Sequence, residues 1–192
     1  MIIGCVEDKN PKDNNSITPL HLAALKGHLE TIKFILNYVD EKNPKDNRGH
    51  TPLHLAPLNG HLEICQVIFG YVKDKNPKDN KGMTPLYAAA GNGYTNIGQL
   101  IIDCVEDKNP KANDGNTPLH LAASRGCLKF CQLIARNIND VNPVNDKGRT
   151  PMDAARANKK FAIVELLTVL TKHPKKGDTD EEEPPKKKRR TQ

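Results

Sequence analysis

The chain has 192 residues, 27% charged, 36% hydrophobic and 4% aromatic, with no tryptophan, five cysteines and a formal net charge of +6. That length suits one domain with a sizeable core. An odd cysteine count without a C-x-x-C pair gives no sign of a disulfide framework or zinc knuckle and favours a reducing compartment. With no bilayer-length apolar run and no signal-peptide layout, a soluble intracellular protein is expected.

Ile2 to Pro11 match Ile101 to Pro110 at nine of ten positions, so residues 1–12 read as the remnant of an upstream unit whose first half is missing. A fragment, or one end of a longer array, is the expectation. Thr-Pro then recurs at Thr18, Thr51, Thr84, Thr117 and Thr150, each 33 residues after the last, opening TPLHLAA, TPLHLAP, TPLYAAA, TPLHLAA and TPMDAAR. The period divides residues 13–171 into five units: 13–45, 46–78, 79–111, 112–144 and 145–171.

Each unit predicts two short helices. Thr at the N-cap accepts from an orphan amide, and Pro at the first helical position loses no bond by lacking its N–H. The first helix is expected over Pro19–Lys26, stopped by Gly27, and Gly60, Gly93 and Gly126 recur in that column before Lys159. The column Ala23, Ala56, Ala89, Ala122 and Ala155 leaves room for neighbouring helices. The second helix is expected over Leu29–Leu36, with a buried stripe through Ile32 and Ile35 beside a solvent row of Lys33, Gln66, Gln99, Gln132 and Glu165. Asn47-Arg48-Gly49 and its counterparts have turn chemistry and predict hairpin-like tips between units.

This pattern resembles the ankyrin repeat family, whose 33-residue period and T-P-L-H-x-A signature the chain carries over residues 1–171. The resemblance implies an all-α solenoid of stacked helix-turn-helix units, with projecting loops and first helices lining a concave face. It also implies a binding scaffold rather than a catalyst, with no cofactor. His21, His54 and His120 hold the TPLH position, where the imidazole is expected to bond locally and tie adjacent repeats together.

Several positions depart from the family pattern. Val6, Val39, Val72, Val105 and Ile138 stand where the family usually has Gly, so the second helix is expected to cap two residues earlier, at Asn37, Gly70 and Asp103, with the Val turned inward. Pro57 inside a first helix removes a bond to Leu53 at about 3 kcal/mol, and Gly98 inside a second helix costs roughly 1 kcal/mol relative to Ala. Repeats 2 and 3 are therefore expected to be the softest. Arg156, Lys159 and Lys160 give repeat 5 the polar character of a cap.

No Ser-His-Asp or Cys-His constellation emerges, because the histidines fall in the repeat columns; no enzyme and no metal site are expected. Cys65 and Cys131 share one column and Cys5 and Cys104 another, read with Cys127 as small apolar packing groups. The lysine columns Lys9, Lys42, Lys75, Lys108 and Lys12, Lys45, Lys78, Lys111 are flanked by Asp8, Glu41, Asp74, Asp107 and by Asp13, Asp46, Asp79, which predicts a solvated, self-neutralising edge rather than a nucleic-acid groove.

A partner protein is expected to contact Arg48, His50, Lys81, Met83, Asp114, Asn116, Lys147 and Arg149 on the tips, and Tyr87 and Arg125 on the first helices. Leu58, Asn59, Asn92 and Ser124 vary along the same face. Residues 172–192 hold eight Lys/Arg and five Asp/Glu without apolar periodicity, so a disordered tail is expected. In it Lys186, Lys187, Lys188, Arg189 and Arg190 resemble a nuclear-import signal for an import receptor, and Thr179 before Asp180-Glu181-Glu182 resembles an acidophilic-kinase site. The reading is a non-catalytic nuclear adaptor that binds protein through the concave face. Its alternatives are a fragment whose repeats only localise an activity, and a nucleic-acid-associated factor using the tail.

Overall fold

The structure is a computed structural model that describes residues 8–172. Ten helices among them form five pairs: α1 (Pro19–Lys26) with α2 (Leu29–Leu36), α3 (Pro52–Leu58) with α4 (Leu62–Phe69), α5 (Pro85–Asn92) with α6 (Thr95–Ile102), α7 (Pro118–Arg125) with α8 (Leu128–Asn137), and α9 (Pro151–Ala157) with α10 (Phe161–Lys172). There is no strand among the described residues. Each first helix packs on the next first helix and each second helix on the next second helix, giving an all-α solenoid. The fifth pair runs one residue into the segment read as tail, since α10 ends at Lys172. The tail itself and the N-terminal segment lie outside the described residues from 173 onward and before 8.

The turns form where the columns require. Gly27, Gly93 and Gly126 cap their helices in the left-handed region, and Lys159 takes the same backbone (φ 56) in repeat 5. A Cβ on these glycines would also meet the following unit: at Gly27 it would lie 2.6 Å from His61 Cε1, and at Gly60 2.7 Å from Tyr94 Cε1. Close stacking and positive φ thus demand glycine together.

The core is built from the expected columns. Leu20, Leu53, Leu86 and Leu119 are fully buried beside the alanine column, with Ile32, Cys65 and Cys131 on the second helices. Lys33, Gln66, Gln99 and Glu165 face solvent. Asn37, Gly70 and Asp103 cap α2, α4 and α6 with right-handed helical backbone, so no left-handed residue is needed there. The chain then turns Val39 inward to burial and leaves Val72 and Val105 half-buried.

Three expectations need correction. Gly98 is not simply a weak point: a Cβ there would lie 2.5 Å from Phe130 Cε2 and 2.7 Å from its Cζ, so glycine makes room for a fully buried ring. Ile64, Ile97 and Ile163 occupy the Phe130 column elsewhere. The larger side chain of repeat 4 fills what the missing one of repeat 3 leaves, which moves the expected soft point to repeat 2 and the buried Pro57 in the last turn of α3. Cys65 and Cys131 are buried and Cys127 half-buried, but Cys104 is exposed, because it follows the α6 cap rather than lying on its packed stripe.

The lysine edge is only in part a solvated row: Lys45, Lys78 and Lys111 are exposed, while Lys42, Lys75 and Lys108 are half-buried. Lys108 Nζ donates to Ile102 O (2.7 Å) and Val105 O (3.0 Å), closing the end of α6; Lys42 makes the matching bonds to Leu36 and Val39, and Lys75 to Phe69 and Val72. Charged donors complement the unpaired carbonyls and negative end of each helix. The second column bridges repeats: Lys45 Nζ donates to Lys78 O, Lys78 Nζ to Lys111 O and Lys111 Nζ to Val144 O. The aspartates shape the tips, since Asp46 Oδ1 accepts from Arg48 and His50 N–H and Asp79 Oδ1 from Lys81 and Met83 N–H.

Candidate protein-binding groove

The tips and first helices place the candidate residues. Each tip closes through a reverse turn with a left-handed residue, Gly49, Gly82, Gly115 or Gly148, where repeat 1 has Ser16 (φ 60). Successive tips are joined by single backbone bonds: Asn80 N–H donates to Arg48 O, Asn113 N–H to Lys81 O and Asp146 N–H to Asp114 O. The tips therefore advance in register, one per repeat.

The TPLH histidines fasten tip to helix. His21 Nδ1 accepts from Thr18 N–H at 3.2 Å while its Nε2 lies 3.1 Å from His50 O of the next repeat. His54 repeats this with Thr51 and Met83 O, and His120 with Thr117 and Arg149 O. An Nδ1 that accepts requires the neutral ring with its proton on Nε2. Burial acts in the same direction: desolvation holds His54 down to about 4, and lowers His21 and His120 as well. These rings are structural ties.

Tyr87 replaces histidine in repeat 3, and the tie is lost. Thr84 Oγ1 is buried without a partner, α5 has no capping box, and the Tyr87 hydroxyl has no hydrogen bond among the described residues. The residue expected as an exposed contact is in fact 6% exposed, because its ring takes the inward imidazole position. Burial pushes its phenol far above the usual range, so it remains a neutral donor.

Over it lies a groove of about 1030 Å³ across repeats 3–5. It gathers Lys81, Met83, Tyr87, Asp114, Asn116, Lys147 and Arg149, together with Ser124. Arg48, His50 and Arg125 lie outside it. Arg48 is exposed on the tip of repeat 2, and Arg125 ends α7. His50 is engaged, its ring nitrogens 3.4 Å from Asp46 Oδ2 and 3.4 Å from Asp79 Oδ2, so it bridges the tips of repeats 2 and 3. Leu121, Asn145, Asp153 and Ala154 line the groove without having been singled out in the sequence. Asp153 shares its column with Tyr87, a signal the sequence did carry, whereas the column of Leu121 and Ala154 held no candidate.

Asp114 accepts from Asn116 N–H at 3.0 Å and Asn116 Nδ2 at 2.7 Å; desolvation alone would raise its carboxyl, and these bonds hold it below the usual range. Asp153 accepts from Thr150 N–H and hydroxyl at 3.0 and 2.7 Å, which lowers it likewise. Burial pushes the Cys65 and Cys131 thiols up to about 12, leaving them protonated and inert. Among the described residues no group of three or more His, Cys, Asp or Glu is arranged to hold a metal, and no helix is long and apolar enough to cross a membrane. The basic cluster Lys186 to Arg190 lies outside the described residues.

The family model for ankyrin repeats (three copies) matches the chain over residues 1–79, 68–143 and 99–180. The chain has no match among curated proteins.

Proposed function

Because the chain belongs to the ankyrin repeat family, we propose that it is a non-catalytic adaptor that binds a partner protein through the groove of repeats 3–5 and works in the nucleus. Ankyrin repeats are generally protein–protein interaction modules and typically non-catalytic scaffolds. The observation that carries the reading is the groove itself, which collects seven of the variable tip and first-helix positions on one surface. Nuclear action is supported only by the run Lys186-Lys187-Lys188-Arg189-Arg190, which suits the acidic pockets of an import receptor. The lysine columns favour protein over nucleic acid as partner, since those cations are bonded to backbone carbonyls.

Proximity labelling in cells tests the groove. Reversing Lys81, Lys147 and Arg149 to Glu should remove a defined set of labelled neighbours that Arg48→Glu and Arg125→Glu retain; equal loss in all variants would refute the assignment. Import is separate: a fluorescent fusion lacking residues 186–190 should fail to accumulate in the nucleus, and unchanged accumulation would end that part of the proposal.

A further inference from the structure

The groove holds more positive than negative charge, with Lys81, Lys147 and Arg149 against Asp114 and Asp153. Lys81, Lys147 and Arg149 stand on its rim, and none has an ion pair within 4 Å among the described residues. The two carboxylates beside them, Asp114 and Asp153, already accept from Asn116 and Thr150. Tyr87, a side chain more than nine-tenths buried, lines the same groove, and its hydroxyl has no hydrogen bond among the described residues. Met83, Leu121 and Ala154 supply apolar wall. A surplus of cations over carboxylates, beside a hydroxyl with no partner among the described residues, suits an anionic occupant rich in acceptors.

The chain itself carries such a segment, Asp178-Thr179-Asp180-Glu181-Glu182-Glu183, six residues past the end of α10. Its tether leads the right way. α9 and α10 are joined by a three-residue turn, 158–160, and therefore run antiparallel. α10 has twelve residues against seven in α9, so it returns past the start of α9 by about 7 Å. That is the end where Thr150, Arg149 and Lys147 lie. Extended chain from Lys172 then brings Asp178 within a reach of about 20 Å.

We propose that the acidic run 178–183 docks into the groove of repeats 3–5, its carboxylates accepting from Lys81, Lys147, Arg149 and the Tyr87 hydroxyl, and so competes with a partner for the same surface. The inference rests on the groove being a binding surface. Tethering makes the encounter intramolecular, so individually weak, salt-screened contacts suffice. Thr179 sits inside the run, and a phosphate there would add roughly −1.5 to −2 charge and tighten the contact.

Zero-length carbodiimide cross-linking of the full chain tests this, because it joins only amines and carboxylates in contact. Peptide mass spectrometry of the monomer should show Lys81 or Lys147 joined to residues 178–183, with the Lys33–Glu30 pair, 2.7 Å apart, as internal control. The links should fall at least about fivefold at high salt, and Tyr87→Phe, which keeps the ring, should reduce them. Acidic-run links confined to Lys175, Lys176 and Lys186–Lys188 beside a positive control would overturn self-docking. If that happens while the Lys81, Lys147 and Arg149 reversals still remove labelled neighbours, the partner reading stands and only this inference fails. Groove links whose loss leaves the labelled neighbours unchanged would uphold self-docking and sink the partner reading.

Discussion

One histidine-to-tyrosine difference separates residues that share a motif but not a role. Thr117 Oγ1 lies 3.0 Å from His120 Nδ1 and caps α7, whereas Thr84 Oγ1 is buried and unbonded. Thr117→Val should therefore cost about 1–2 kcal/mol, while Thr84→Val, which removes only an unsatisfied hydroxyl, should be neutral or stabilising. Urea midpoints of the two variants check this, and equal losses would contradict it. The tied histidines also set a pH dependence. In the unfolded chain they protonate near 6.5, but folded His54 stays neutral down to about 4, and burial lowers His21 and His120 too. The folded state thus binds fewer protons between those limits, so stability is full above pH 6.5 and is lost as pH falls toward 4. Each histidine contributes a slope of up to about 1.4 kcal/mol per pH unit. Urea titrations at pH 7 and pH 5 should show the drop, and His54→Gln, which can still bond back to Thr51, should flatten it.

At the scale of an element, the sequence made most of each helix legible because cap, period and stop fall together within a few residues. The bounds of α1 and α2 were readable from Thr18, Pro19, Gly27 and the apolar stripe alone. What one helix asks of the next was not. Gly98→Ala should improve helix propensity by roughly 1 kcal/mol taken alone. Instead it drives a methyl to within 2.5 Å of Phe130, and overpacking of about 1–3 kcal/mol should dominate. Replacing Phe130 with Ile, the residue of repeats 2, 3 and 5 in that column, should relieve the clash. A double-mutant cycle by chemical denaturation should then show G98A/F130I less destabilised than the sum of its parts. Additive losses would mean the two side chains do not meet. The asparagine column shows the same limit. Asn10, Asn43, Asn76 and Asn109 each accept from the N–H of a leucine ten residues on, satisfying an orphan helix amide. Asn142 Oδ1 has no such donor. The recurrence was visible in the sequence; the bond was not, because a loop must first fold back over the next helix.

Across the whole molecule, stability is a property of stacking. The fully buried leucines and the alanine column are covered by neighbouring repeats as well as by their own, so no unit closes a core alone. Residues 79–111 expressed as a single repeat should show little helix by circular dichroism, while the full chain should unfold in one cooperative transition. A well-folded lone repeat would overturn that account. The near-cancellation of charge along the edge also acquires a different meaning at this scale. Lys42, Lys75 and Lys108 close helix ends, Lys45, Lys78 and Lys111 bridge repeats, and Asp46 and Asp79 shape tips.

The sequence by itself determined the class, the period and the helix starts of this protein. Those follow from local chemistry repeated at a fixed interval, and repetition raises a weak cap or stripe signal above accident. Only the tertiary structure decided which variable residues share a surface. It drew Lys81, Tyr87, Asn116 and Arg149 into one groove, left Arg125 outside, and bound His50 between two aspartates. Spacing of 33 residues says that two side chains occupy equivalent places; whether they converge depends on how one unit is set upon the next, and that is fixed by packing between units rather than by the order of residues within them.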